Sequence, residues 1–195
     1  TTVLLAGFDS LDAAVAAADH LAGGDLGEVQ LLHGDDPELD RWLEDGLDSW
    51  RAWAEPVAAG PFWIVPTWLA AEHRSPPAGH PARQTHQTIP LLVDPAHTFG
   101  SGSHPTTRLV LARLARLVGP TDTVLDVGCG SGILAVGAAL LGAREVTGID
   151  VDPGTPAATE ANARANDVAD RVRASCTPLA DLVRELPDRG GGFTI

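Results

Sequence analysis

From residue 123 to 176, short apolar runs rich in β-branched residues alternate with stretches of helical periodicity. The runs TVLDVG (123–128), REVTGID (144–150) and RVRASC (171–176) read as buried strands. Between them GILAVGAALLGA (132–143) and PAATEANARAND (156–167) read as helices. Parallel neighbours in a sheet cannot be joined by a tight turn and need a crossover, which a helix supplies. Strict alternation therefore predicts the α/β class, with a doubly wound parallel sheet. The pattern extends upstream. TIPLLVD (88–94) reads as a strand, and Pro105 opens a helix over PTTRLVLARLARLVG that stops at Gly119-Pro120.

Residues before 88 are organised differently. TVLLA (2–6) and EVQLL (28–32) read as strands around a helix over LDAAVAAADHLA, capped by Asp9 or Ser10 and ended by Gly23 and Gly24. This β-α-β unit is too small to stand alone, so residues 1–36 are expected to be a small N-terminal α+β lobe for substrate recognition. Residues 37–87 are expected to be a linker. A helix from Pro37 carries Leu39, Trp42, Leu43, Leu47, Trp50 and Trp53 at helical spacing, and PFWIV (61–65) reads as a strand. All five tryptophans lie between 42 and 68, which predicts a buried seam, with an aromatic binding platform as the alternative. EHRSPPAGHPARQTHQT (72–88) has no periodicity and reads as a loop. Its histidines, His73, His80 and His86, match no zinc spacing, so no metal is expected. Residues 88–195 form the third region.

Composition narrows the function. The 195 residues carry a net charge of −13, which argues against a general nucleic-acid binder. There is no lysine. That excludes a phosphate-binding Walker A loop and Schiff-base chemistry on an enzyme amine. Two cysteines, Cys129 and Cys176, give no disulfide framework, and a reducing cytoplasm is the expected compartment. No apolar run is long enough to span a membrane, and TTVLLAGFDSLD has no basic region of a signal peptide. Residues 1–60 hold 13 acidic side chains against Arg41 and Arg51 alone. A solvated acidic surface is the plain reading, and steering of a basic partner the sharper one.

Residues 126–133 read D-V-G-C-G-S-G-I. A nicotinamide fingerprint would place a small residue where Ile133 stands, so the dinucleotide reading fails. Asp150 ends the next strand, 22 residues after Gly128, and a carboxylate there can accept both hydrogen bonds of a ribose diol. This pattern resembles the class I S-adenosylmethionine methyltransferases, which have a Rossmann-like fold. Upstream stands HTFGSGSHPTT (97–107). With Phe99, Gly100, Ser101, Gly102, His104, Thr106 and Thr107, it is similar to the signature loop of PrmA-type ribosomal-protein methyltransferases. HTFGSG departs from the commoner A-F-G-T-G. PFWIVPTW, IPLLVDP, LDVGCGSGILAVGAALLGA and GIDVDP extend the resemblance from about residue 41 to the end.

The resemblance implies S-adenosyl-L-methionine as cofactor, contacted by Thr107, Gly128 and Asp150, with Asp126, Gly130, Phe99 and Gly100 in the same site. It implies methylation of amines on the basic stalk-base protein of the large ribosomal subunit, by an enzyme monomeric at full length. A flavoprotein lysine or a small metabolite is the alternative acceptor, and an inactive cofactor-binding fragment is the alternative of another class. RGGGFTI is expected to lead into a fourth strand, with further strands and an Asn-bearing turn beyond it. The general base is unassigned. His104 is the candidate in the sequence, and a histidine that shapes the loop is the competing reading. Cys129 is expected to be a small packing residue and not a nucleophile.

Overall fold

A computed structural model describes residues 12, 15–18, 51–80, 88–185 and 192–195. The chain divides into two compact units, 1–50 and 51–195. Of the first, Asp12 and residues 15–18 are described, and they are helical as the periodicity predicts. The strands read at 2–6 and 28–32, most of the helix from Pro37, and His86 lie outside the described residues.

Among its described residues the second unit holds two three-stranded sheets. In the first, β1 (Val57–Ala59) runs antiparallel to β2 (Phe62–Pro66), and β2 runs parallel to β3 (Ile89–Val93), with Phe62 opposite Ile89 and Pro66 opposite Val93. A 3-10 turn at Thr67–Leu69 and a single helical turn, α1 (Ala70–His73), follow β2. The division between units thus falls at residue 50, and the strand read as linker shares a sheet with β3. The second sheet is fully parallel: β4 (Thr123–Val127), β5 (Glu145–Ile149) and β6 (Val172–Ser175), in that order. Its crossovers are α3 (Ile133–Leu140) and α4 (Thr155–Ala165); α2 (Pro105–Leu114) leads into β4 and α5 (Leu179–Glu185) follows β6. This is the expected α/β, Rossmann-like arrangement.

The free edge of β4 is also occupied. Ile195 N–H donates to Thr123 O at 3.4 Å, and Leu125 N–H donates to Ile195 O at 2.9 Å. One residue bracketed by i−1 and i+1 of its neighbour is the parallel ladder pattern. The closing residues therefore lie beside β4 as a further parallel strand would, as the sequence reading expected.

Helix α3 explains how two sheets share one core. Its sequence, ILAVGAAL, is apolar on every face, which marks a helix buried all round. Ile133 packs with Phe62, Ile64, Leu91, Val93 and Leu111 of the first sheet and α2. Ala135, Val136, Ala138 and Ala139 pack with Val124, Val146, Ala163 and Val172 of the second. A Cβ on Gly137 would meet Leu111 Cδ2 at 2.7 Å, so α2 and α3 approach as closely as a missing side chain allows.

Tryptophan placement corrects the seam reading in part. Trp63 is buried and donates to His73 O at 2.8 Å, and Trp68 lies under the Arg51 guanidinium at 5.5 Å. Trp53, however, is 84% exposed.

Candidate cofactor site

The site lies at the carboxyl ends of β4 and β5, where ligands of open α/β sheets bind. Strand β4 ends in Val127, and the chain turns through Gly128, Cys129, Gly130, Ser131 and Gly132 into α3. Gly128 N–H and Cys129 N–H both donate to Ile149 O, at 2.7 and 3.1 Å, which pins the turn to the end of β5. One residue further, Asp150 closes the pairing from the other side. Its Oδ2 accepts from Gly130 N–H at 2.8 Å and its Oδ1 from Asp152 N–H at 3.0 Å. The Asp152 N–H bond foremost holds the carboxyl below its ordinary value; burial opposes it, and the Gly130 and Val151 N–H groups add to the lowering. Each carboxylate oxygen carries more than one lone pair, so both retain capacity for further donors.

Asp126 does different work. Gly132 opens α3 without a side chain to cap it. The Asp126 carboxylate reaches from β4 and accepts from Ala135 N–H at 3.2 Å, one of the unpaired donors of the first turn. Burial pushes its carboxyl up to about 6 from 3.8; the Ala135 bond opposes this, and the Asp150 charge adds to it. Between those two values the native state holds a proton that the unfolded state has released. Stability from this group is therefore present at low pH and lost as pH rises from about 4 to 6. Asp126→Asn keeps an acceptor and cannot ionise. Relative to the parent, it should gain about 2 to 3 kcal/mol between pH 4 and 7 in urea unfolding. A constant difference across that range would place the carboxyl in a wetter setting.

Cys129 is buried, and burial foremost pushes its thiol up to about 11, with Asp126 adding to the effect. A thiol so seldom ionised is a poor nucleophile, as the packing reading holds. A Cβ on Gly148 would meet Cys129 Sγ at 2.7 Å, so the thiol packs on the bare backbone of β5.

The 97–104 loop lies directly on the glycine turn. Ser131 N–H donates to Phe99 O at 2.8 Å, and Ser131 Oγ to Gly100 O at 2.7 Å. The structure thus brings together Asp126, Gly128, Gly130, Asp150, Phe99 and Gly100. Phe99 presents its ring outward, 70% exposed, while Thr107 is buried in the first turn of α2. His104 is the N-cap of that helix. Its Nδ1 lies 2.7 Å from Thr106 Oγ1 and accepts from Thr106 N–H at 3.3 Å, with the ring edge-on to Phe99. Nδ1 is thus engaged at the helix start. Among the described residues, no group of three or more His, Cys, Asp and Glu could hold a metal ion.

Sequence reasoning missed a second layer. Strand β3 is a sheet edge, and its outward backbone groups meet side chains of α4. Asn166 Oδ1 accepts from Leu92 N–H at 2.8 Å, and its amide donates to Leu92 O at 2.7 Å. Asn162 Oδ1 accepts from Asp94 N–H at 2.8 Å, and its amide donates to Asp94 O at 2.8 Å and Ser131 O at 2.9 Å. Two residues of strand rise about 6.6 Å and four residues of helix about 6 Å, so the two amides match alternate strand positions. The i, i+4 asparagines of NARAN were the available signal.

A sequence profile of the ribosomal protein L11 methyltransferase (PrmA) family matches residues 12–188. That span is most of the chain. The chain belongs to the ribosomal protein L11 methyltransferase (PrmA) family. The ribosomal protein L11 methyltransferase of Chromohalobacter salexigens is 44% identical over 151 residues, covering 74% of this chain and 46% of that protein. The one from Dechloromonas aromatica is 49% identical over 118 residues, covering 60% of this chain and 36% of that protein. The chain thus spans about half the length, or less, of these curated PrmA relatives. The crystal structure of a ribosomal protein L11 methylase from Lactobacillus delbrueckii subsp. bulgaricus superposes with a TM-score of 0.53 at 29% identity, covering 66% of this chain and 60% of that one. The PrmA fold is thereby matched by sequence and by structure.

Proposed function

We propose that this chain carries the S-adenosyl-L-methionine site of a PrmA-type protein N-methyltransferase, acting on lysine or α-amino groups of a basic ribosomal protein. The observation that carries the reading is Asp150. Its carboxylate is anchored by two backbone N–H groups at the end of β5, directly beside an open glycine turn. A ribose diol needs that ionised double acceptor. The apolar Val127, Phe99 and Val151 are exposed around it, and Val151 is 97% exposed, so an apolar ring system has surfaces to cover. The residues present fit this cofactor.

S-adenosyl-L-methionine supplies a methyl group already activated on a sulfonium. The protein's part is positioning, because in-line attack requires the acceptor amine and the methyl to be aligned. Gly128, exposed and with nothing within 4 Å of where a Cβ would stand, lets the ligand approach the backbone, and Gly130 lets the 97–104 loop close onto the turn. Asp150 fixes the ribose end, and the Phe99–His104 loop shapes the entry for the amine. A lysine acceptor is protonated near neutral pH and must lose its proton before attack. His104, its Nδ1 committed to the start of α2, serves the loop's shape in this reading, and the proton leaves by another acceptor. The acidic residues 1–60 attract a basic substrate, and the acceptor places the protein in the cytoplasm. Among the described residues no helix is long and apolar enough to cross a membrane.

Calorimetric titration with S-adenosylhomocysteine and with NAD tests the cofactor. Binding of the first and not the second is expected. Asp150→Ala should weaken it by about 1 to 3 kcal/mol, because ribose hydroxyls lose their acceptor. NAD binding, or an Asp150→Ala protein that binds undiminished, overturns the assignment.

A further inference from the structure

We infer that Ser131 is a positioning residue that latches the 97–104 loop onto the glycine turn before any ligand arrives. The inference rests on the cofactor reading above only for its effect on binding; the latch itself is made wholly by this chain's own groups. Ser131 is fully buried and uses every polar group it has. Its N–H donates to Phe99 O, its hydroxyl to Gly100 O, and its carbonyl accepts from the Asn162 amide. The same Asn162 holds both backbone groups of Asp94, the residue after β3 from which the loop departs. Asp94 Oδ1 in turn accepts from Ala96 N–H at 2.9 Å, holding Ala96 at a φ of 48°, a left-handed turn that alanine seldom adopts unaided. The loop is thus fixed where it leaves β3 and where it crosses the glycine turn, and one asparagine joins the two fixings.

Close approach accompanies the hydrogen bonds. A Cβ on Gly100 would stand 2.6 Å from Ser131 Oγ, so the backbone at 100 sits against the hydroxyl with no room for a side chain. A loop ordered in advance spares the ligand the entropy of ordering it, which raises affinity without a new contact. Ser131 achieves this from behind the turn, its side chain bonded to Gly100 and shielded from solvent.

The test uses the full chain and Ser131→Ala, which keeps the N–H bond to Phe99 and removes the hydroxyl. Leu111→Ala, a core deletion in α2, serves as a control for stability alone. Amide hydrogen exchange is followed at residues 99–103, and S-adenosylhomocysteine is titrated by calorimetry. Ser131→Ala should exchange faster at 99–103 without ligand, with slight change elsewhere, and bind about three- to tenfold more weakly. Leu111→Ala should lower the melting temperature and leave affinity unchanged. Unchanged exchange at 99–103 overturns the latch, whatever binds. Faster exchange with unchanged affinity overturns the positioning role. A parent protein that binds no S-adenosylhomocysteine overturns the cofactor reading, and the exchange arm still decides the latch.

Discussion

Replacing Asn162 by leucine should cost about 3 to 5 kcal/mol of unfolding free energy, although the two side chains are similar in size. The asparagine is buried and makes three hydrogen bonds to main-chain groups, at 2.8, 2.8 and 2.9 Å. Leucine would leave one N–H and two carbonyls without the partner that Asn162, itself 1% exposed, supplies. Removing one partner of a buried hydrogen bond costs more than the bond contributes, because the remaining group stays desolvated. Asn166→Leu removes the equivalent pair at Leu92, further from the glycine turn. It should destabilise comparably and leave S-adenosylhomocysteine affinity far less altered. Urea unfolding of both variants measures the first effect and calorimetry the second. An Asn162→Leu protein within about 1 kcal/mol of the parent would show that water reaches the edge of β3.

Those two asparagines also show where sequence reading stopped. The alternation of apolar runs marked β3 to β6 and α2 to α4 to within a residue or a few, because each is long enough for its period to register. The glycine turn and Asp150 were legible because turn, strand end and spacing constrain one another locally. The three-residue strand β1, the short α1 and the seven-residue α5 left too few residues for a period. Within the helix expected over 156–167, NARAN gives no sign of burial by itself, since polar residues on a helix usually face water. Here one face of α4 meets an unfinished sheet edge, and that pairing is tertiary: Asn162 and Asp94 are 68 positions apart. Ser131 was hidden for the same reason. Inside G-x-G-x-G it looks like a small filler, and its hydroxyl has meaning only once the 97–104 loop is laid across it. His104 gave two readings from sequence, and the helix-start geometry that supports one of them depends on where α2 begins.

Gly130→Ala should disable the site through contact as well as conformation. Gly130 has a φ of +52°, where an alanine pays about 1 to 2 kcal/mol for crowding of its Cβ against its own backbone. Gly128, at +76°, carries the same burden, and a Cβ there would meet nothing within 4 Å. A Cβ on Gly130 would run into the Phe99 carbonyl oxygen, a backbone atom that cannot swing aside. The two loops must then separate. Separation breaks the Ser131 N–H bond to Phe99 O and tilts the Gly130 N–H that orients Asp150, both 2.8 Å in the parent. Overpacking of this kind adds about 1 to 3 kcal/mol. Gly130→Ala is therefore expected to lose about 2 to 5 kcal/mol in urea unfolding, against about 1 to 2 for Gly128→Ala. Amide exchange should rise across residues 97–104 in the first variant and stay near the parent in the second. S-adenosylhomocysteine affinity should fall about thirtyfold or more for Gly130→Ala, because the carboxylate that receives the ribose loses its anchor while the loop beside it opens. Equal unfolding costs for the two variants, with exchange at 97–104 unchanged in both, would mean that the loops do not touch at Gly130.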